Sequence, residues 1–178
     1  MRTNYSNAYG QSVDQQRDAL AGTSGADTTA FTAALAAEGP VSFGVDKRTG
    51  GSVRLHRVSS DIGNATSISL FSDAGQRNKV GAMTVAPGRD SLRILTIENV
   101  GRSRYKGIGT AMIEVADHIR GSAGLSTLSL LSQDEGASEF FYKKGFRFTD
   151  GNKNVEMRHL VSNPGYVSDE ILMGEMKR

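Results

Sequence analysis

The strongest constraint in this sequence is a change of hydrophobic period across a glycine-rich junction. From Val41 to Val100 apolar residues recur every second position, as in Val41, Phe43, Val45 and again in Val53, Leu55. From Ile108 onward they fall at i, i+3, i+4, i+7, i+8 and i+11: Ile108, Ala111, Met112, Val115, Ala116 and Ile119. Period two marks half-buried strands, and period 3.6 marks one apolar stripe on a helix. The chain must therefore run from sheet into helix through Gly107 and Gly109.

The same reading predicts strands over 41–46, 52–59, 66–71, 80–85 and 92–100, separated by turn residues such as Thr49-Gly50-Gly51, Gly63-Asn64 and Pro87-Gly88. Within the last of them the phase slips, from Leu92 and Ile94 to Leu95 and Ile97, which predicts a bulge. Beyond the helix, the pattern predicts a buried strand over 125–131, a helix over 137–144, closing strands over 146–148 and 155–160, and a short helix over 168–176. The fold class is α+β: a mixed, mostly antiparallel central sheet with flanking helices.

Composition divides the chain near Pro40. Residues 1–39 contain only Val13, Leu20, Phe31 and Leu35 from the set Leu, Ile, Val and Phe, too few to bury a core. They read as a polar extension, mobile at first and helical over 27–38, with Asp27 as N-cap and Gly39-Pro40 as the stop. Residues 40–160 read as the folded domain and 161–178 as a C-terminal extension.

Several classes of function are disfavoured at once. The net charge is only +2, which argues against binding nucleic acid by counterion release. There is no cysteine, and His56, His118 and His159 are scattered, so no metal site is expected. These histidines read as structural or exposed, with His118 on the polar side of its helix. No apolar run approaches the roughly 18 residues of a membrane span, and no signal-peptide core is visible near the start. A soluble, cytoplasmic protein is expected, with export lacking a cleavable signal as the alternative.

The junction itself, Val100 to Thr110, carries the chemistry. A helix N-terminus offers amide N–H groups without partners and a partial positive charge. Gly107 and Gly109 let a ligand approach the backbone, while Arg102, Arg104 and Lys106 add cations. This is the composition of a phosphate or pyrophosphate cradle. It is not a Walker A loop, since the chain has no Gly-Lys pair. Nor is it G-x-G-x-x-G, because position 112 is Met112.

The remaining pattern, Arg104-x-x-Gly107-x-Gly109, resembles the [Gln/Arg]-x-x-Gly-x-[Gly/Ala] segment of the GNAT acyltransferases. About 30 residues later, Ala137-Ser-Glu-Phe140-Phe141-Tyr142-Lys-Lys-Gly145-Phe146 is similar to a second segment of that family, one residue shorter between tyrosine and glycine. Val155–Leu160 is similar to its last strand. The resemblance spans about residues 80–160. It implies a GNAT-like fold and transfer of an acetyl or other short acyl group from acetyl-CoA, as cosubstrate, to an amine. The acceptor would be a protein lysine, an N-terminus or a small molecule.

By position, the resemblance puts the pyrophosphate on Arg104, Lys106, Gly107, Gly109 and Thr110, and the pantetheine against the backbone near Val100. Tyr142 becomes the proton donor to the departing thiolate, and Glu98 a base for the attacking amine. One departure stands out. The family has two helices between its first strands, where this chain shows strands and turns. Either the helix at 27–38 takes their place ahead of the sheet, or one strand reading is wrong. Their absence would leave an open acceptor groove. A non-catalytic CoA-binding or interaction module on the same scaffold is the alternative function.

Overall fold

The computed structural model describes residues 28–37 and 39–178. Its elements run α1 (Thr28–Ala36), β1 (Ser42–Asp46), β2 (Ser52–Ile62), β3 (Ala65–Phe71), β4 (Lys79–Pro87), β5 (Ser91–Glu98), β6 (Tyr105–Lys106), α2 (Ile108–Ser122), β7 (Thr127–Ser132), α3 (Glu135–Lys143), β8 (Arg147–Phe148), α4 (Gly151–Ser162) and β9 (Gly174–Lys177). The strands form one mixed sheet in the order β6-β1-β2-β3-β4-β5-β7-β9-β8 among the described residues. Every pairing is antiparallel except β5 with β7.

One face of the sheet receives α2. Register places Leu70 opposite Gly81, Ile68 opposite Met83, Val85 opposite Ile94, and Ile94 beside Leu130, all on that face. Against them α2 buries Ile108, Ala111, Met112, Ile113, Val115, Ala116 and Ile119. Each of the Ile, Val and Met side chains contributes about 1.5–3 kcal/mol on leaving water. The helix can sit this low because two strand positions lack a side chain. A Cβ on Gly81 would lie 2.8 Å from Ile108 Cγ2, and one on Gly44 would lie 2.9 Å from Ile108 Cδ1. By contrast, Gly121 near the end of α2 faces open space. Gly121→Ala should therefore gain about 0.5–1 kcal/mol by lowering backbone freedom in the unfolded chain, read as a higher denaturation midpoint.

The opposite face carries Ser67, Ser69, Thr84, Thr96 and Glu98, none of them buried. Among the described residues no helix separates β1 from β2 or β2 from β3; short turns do so. The strand readings of this region hold, and the first helix lies ahead of the sheet. Asp27, the expected cap of that helix, lies outside the described residues.

Helix α1 packs on α2 through Phe31 and Ala34 and is strapped down by Arg57. Arg57 Nη2 donates to the carbonyls of Leu35 at 3.0 Å and Ala37 at 2.6 Å, which satisfies orphan acceptors at the helix end. Burial lowers the pKa of this guanidinium. His118 is not simply exposed: it is half-buried on α2, and its Nε2 is enclosed without a partner.

Two expectations fail in the C-terminal third. Residues 155–160 are helical, within α4, rather than a closing strand. Asp150 caps this helix by accepting from Asn152 N at 2.9 Å, and only Met157 is buried along it. Residues 168–176 are not helical. A bend at 169–170 and an irregular stretch lead into β9, which fills the place between β7 and β8.

Candidate functional site

The phase slip in 92–100 is a bulge. Thr84 pairs with Thr96 and Val85 with Ile94, which leaves Leu95 as the extra residue on β5. The bulge coincides with a second irregularity. β5 and β7 pair from Ser91↔Thr127 to Ile94↔Leu130, and there their ladder stops. β5 continues to Glu98 against β4, and β7 continues to Ser132 against β9. Two parallel strands thus part in mid-sheet, with their facing edges unpaired by the ladder. Backbone groups there need partners from a ligand or water.

Residues at the end of β5 differ in role. Glu98 pairs with Ala82, on the face away from α2, and is exposed. Val100 is also exposed, and Gly101 N donates to Val80 O at 2.8 Å, which ties the loop to β4. Asn99 between them is not among the residues that the sequence points to. Its Oδ1 is buried with no hydrogen-bond partner. A buried amide oxygen left unpaired costs about 1–3 kcal/mol, so a donor from a bound molecule would be well received. Only the packing reveals it, since an asparagine after a strand reads as an ordinary turn residue.

Gly107 starts α2 with φ +81°, a left-handed conformation that favours glycine. No side chain caps this helix and no acidic residue stands in its first turn, whereas Asp134 and Asp150 cap α3 and α4. The first-turn amides of α2 and its positive dipole end are left for an anion. Thr110 is half-buried in that turn. Gly109 has a packing role as well: a Cβ there would stand 3.0 Å from Phe140 Cζ, so glycine lets α3 close on α2.

Arg104 and Lys106 are drawn toward β1. Lys106 pairs with Val45 in the β6–β1 ladder and is exposed. Arg104 Nε donates to Asp46 Oδ2 at 3.1 Å, while 56% of its side chain remains exposed. The Asp46 carboxylate is buried and also accepts from Arg48 N at 2.8 Å and Thr49 N at 3.4 Å. The Arg48 amide bond holds its pKa below the ordinary 3.8, assisted by Arg104 and opposed by burial. Because the folded value is depressed, this anchorage is fully present above about pH 4 and is lost as acid titrates the carboxyl through its lower folded pKa. The Arg48 and Thr49 amide resonances should therefore shift in acid below that point, and Asp46→Asn should abolish the shift.

Tyr142 lies on α3, half-buried. The Arg147 guanidinium stacks 3.9 Å from its ring centroid and donates to its carbonyl at 3.0 Å. Its hydroxyl makes no hydrogen bond among the described residues. The Phe140–Phe141 pair packs edge to face at 5.2 Å, with Phe141 in the core. Among the described residues no cluster of His, Asp and Glu could hold a metal ion, and no helix is long and apolar enough to cross a membrane.

No family model matches the chain, and no curated protein matches it in sequence. Solved structures similar to it include an acetyltransferase of Bacillus subtilis in complex with CoA, at 14% identity and TM-score 0.48, covering 69% of this chain and 97% of that one. Nourseothricin acetyltransferase is similar at 20% identity and TM-score 0.45, over 78% and 84%. The PaiA N-acetyltransferase of Thermoplasma acidophilum in complex with coenzyme A is similar at 18% identity and TM-score 0.43, over 65% and 60%.

Proposed function

We propose that this chain is a GNAT-type N-acyltransferase that moves an acetyl or other short acyl group from acyl-CoA to an amine. The observation that carries the reading is the parting of β5 and β7 beyond Ile94↔Leu130, followed within one loop by the uncapped, glycine-started N-terminus of α2. An extended amide-bearing arm suits the unpaired strand edges. A pyrophosphate suits the helix start, held by the backbone at Gly107, Gly109 and Thr110. Asn99 Oδ1 offers the arm one further acceptor, and the residues present fit such a cosubstrate.

In this reading the acceptor nitrogen attacks the thioester carbonyl carbon. The C–N bond forms, the C–S bond breaks, and the electron pair leaves on sulfur. Backbone N–H groups near Val100 stabilise the oxyanion, and the Tyr142 phenol donates a proton or hydrogen bond to the thiolate. The ammonium proton leaves to Glu98 or to water. Holding both reactants together supplies most of the acceleration. The open, polar face carrying Glu98 and Thr96 favours a polypeptide amine over a small enclosed metabolite as acceptor.

Calorimetric titration of acetyl-CoA into the wild-type protein tests the reading, with micromolar binding expected; no binding to folded protein rejects it. Tyr142→Phe separates chemistry from packing. Turnover on a lysine peptide should fall about 10- to 100-fold with acetyl-CoA affinity held within twofold. Unchanged turnover would assign Tyr142 to packing beneath Arg147.

A further inference from the structure

The stretch between α4 and β9 has a composition that the proposed chemistry does not use. Five of the eight residues from 166 to 173 are large and apolar: Tyr166, Val167, Ile171, Leu172 and Met173. Of these five only Leu172 is buried, whereas Val167 is 81% exposed and Ile171 74%. Single exposed apolar residues are ordinary, but a cluster of them marks an interaction surface. The loop is also held in place. Tyr166 Oη donates to Glu156 Oε2 at 2.6 Å and Ser168 Oγ donates to the same oxygen at 3.1 Å, which clasps its start to α4. Lys153 Nζ donates to Met173 O at 2.7 Å, and Leu172 anchors the loop in the core. Val167 and Ile171 are therefore presented to solvent from a pinned backbone.

This loop ends at the cleft. Gly174 N donates to Ser132 Oγ, and Ser132 Oγ donates to Gly174 O, both at 3.1 Å. Ser132 lies two residues beyond Leu130, where the pairing of β7 with β5 stops. Ile171 stands three residues before Gly174, so it lies within roughly 10 Å of that strand end. Leu131 is exposed, and alternation puts it on the face away from α2, the face that carries Glu98. Its ladder partner is Glu175, also exposed. Apolar and acidic residues thus continue from the loop onto the open end of the seam.

Charge identifies the partner. From 163 to 175 the sequence holds Asp169, Glu170 and Glu175 and no lysine or arginine, in a chain whose net charge is +2. The cations that β5 and β9 place on this face, Arg93 and Lys177, both pair with Ser129 inside the closed part of the seam. We infer, on the strength of the acyl-transfer reading above, that Val167, Ile171 and Leu131 together with Asp169, Glu170 and Glu175 dock the acceptor, and that this acceptor is a cationic polypeptide segment with apolar residues beside its lysine. The apolar side chains supply affinity, and the carboxylates supply steering and choice of partner.

The test uses two short, end-blocked peptides as acceptors at saturating acetyl-CoA, each with one central lysine. One carries leucine and arginine around the lysine, the other serine and glutamate; spermidine serves as a small acceptor. The wild type should show a KM about tenfold lower for the leucine–arginine peptide, a gap that narrows as salt rises. Val167→Ser with Ile171→Ser should raise that KM about tenfold and leave its salt dependence alone. Asp169→Asn with Glu170→Gln should raise it several-fold and flatten the salt dependence. In both variants kcat and acetyl-CoA affinity should stay within twofold, and an unchanged Tm shows that the fold is kept. Equal KM values for the two peptides in the wild type overturn the inference, as does a KM that neither variant moves. Turnover of spermidine but of neither peptide overturns it in favour of a small acceptor. Each of these outcomes leaves acyl transfer standing. A dimer in solution that Ile171→Ser dissolves assigns the surface to a second copy and overturns it too. Acetyl-CoA binding with no turnover of any of the three acceptors also overturns it, and failure to bind acetyl-CoA overturns the acyl-transfer reading with it.

Discussion

Gly81→Val is expected to cost about 3 kcal/mol or more. The β-carbon alone would stand 2.8 Å from Ile108 Cγ2 and 3.0 Å from Met112 Sδ. Ile108 and Met112 are among the largest fully buried side chains, so neither can swing into solvent. The added atoms must lift the first turns of α2 from β4 or displace β4 itself, and overpacking of this kind costs about 1–3 kcal/mol before lost burial is counted. Lifting α2 also pulls Ile113, Val115 and Ala116 away from the strands. Urea unfolding followed by circular dichroism measures the change. A loss below about 1 kcal/mol would mean that the helix-to-sheet spacing adapts far more than these contacts imply.

The second large effect is on binding. Gly107→Glu should weaken acetyl-CoA binding at least 100-fold. Two causes act together. At φ +81° an L side chain is strained by about 1–2 kcal/mol, and a carboxylate at the start of α2 would occupy the positive end of the helix dipole with its own negative charge. Gly107→Ala separates them, since alanine keeps the strain without the charge. Its stability should fall by about 1 kcal/mol while binding falls only modestly. The space around Gly107 is open: a β-carbon there would meet only Phe43 O, at 3.9 Å, so crowding by the protein is not the cause. Equal binding by wild type and Gly107→Glu would remove the pyrophosphate from this helix.

The amphipathic helix, the glycine junction and the bulge at Leu95 are all readable in the sequence, because each is written in local periodicity. A stripe of six residues from Ile108 to Ile119 admits no other geometry. The slip from Ile94 to Leu95 has a direct counterpart in the pairing with β4. What the sequence does not write is partnership at a distance. That β5 and β7 pair over four residues and then separate, while β9 pairs with the other edge of β7, is set by contacts far apart in the chain. The pattern of β9 reads falsely as helix, because Leu172 and Met176 satisfy an i, i+4 spacing as well as an alternating one. Residues 155–160 mislead in the opposite sense. Val155 and Met157 alternate like a strand, while the features that make α4 a helix, the Asp150 cap and the Asn154 side chain bridging Phe148 N and O, depend on residues before that stretch. Among the candidate site residues, Gly107 can be anticipated from the Arg-x-x-Gly-x-Gly pattern at the strand-to-helix junction, while its left-handed backbone is seen only in the fold. Asn99 cannot, since its unpaired Oδ1 arises only from burial.

The pairing of β5 with β7 has a mechanical consequence. On the β1–β5 side and on the β7–β9–β8 side every described pairing is antiparallel. Among the described residues the sheet's two wings are paired along the short parallel seam from Ser91 to Ile94, with α2 packed across both. A seam closed at one end acts as a hinge, and its free end is where the wings rotate most. A molecule bridging that free end would rivet the wings together, so occupancy should show first as damped breathing of the seam. Amide exchange at Ile94 and Leu130 would then report ligand before any global unfolding measure does.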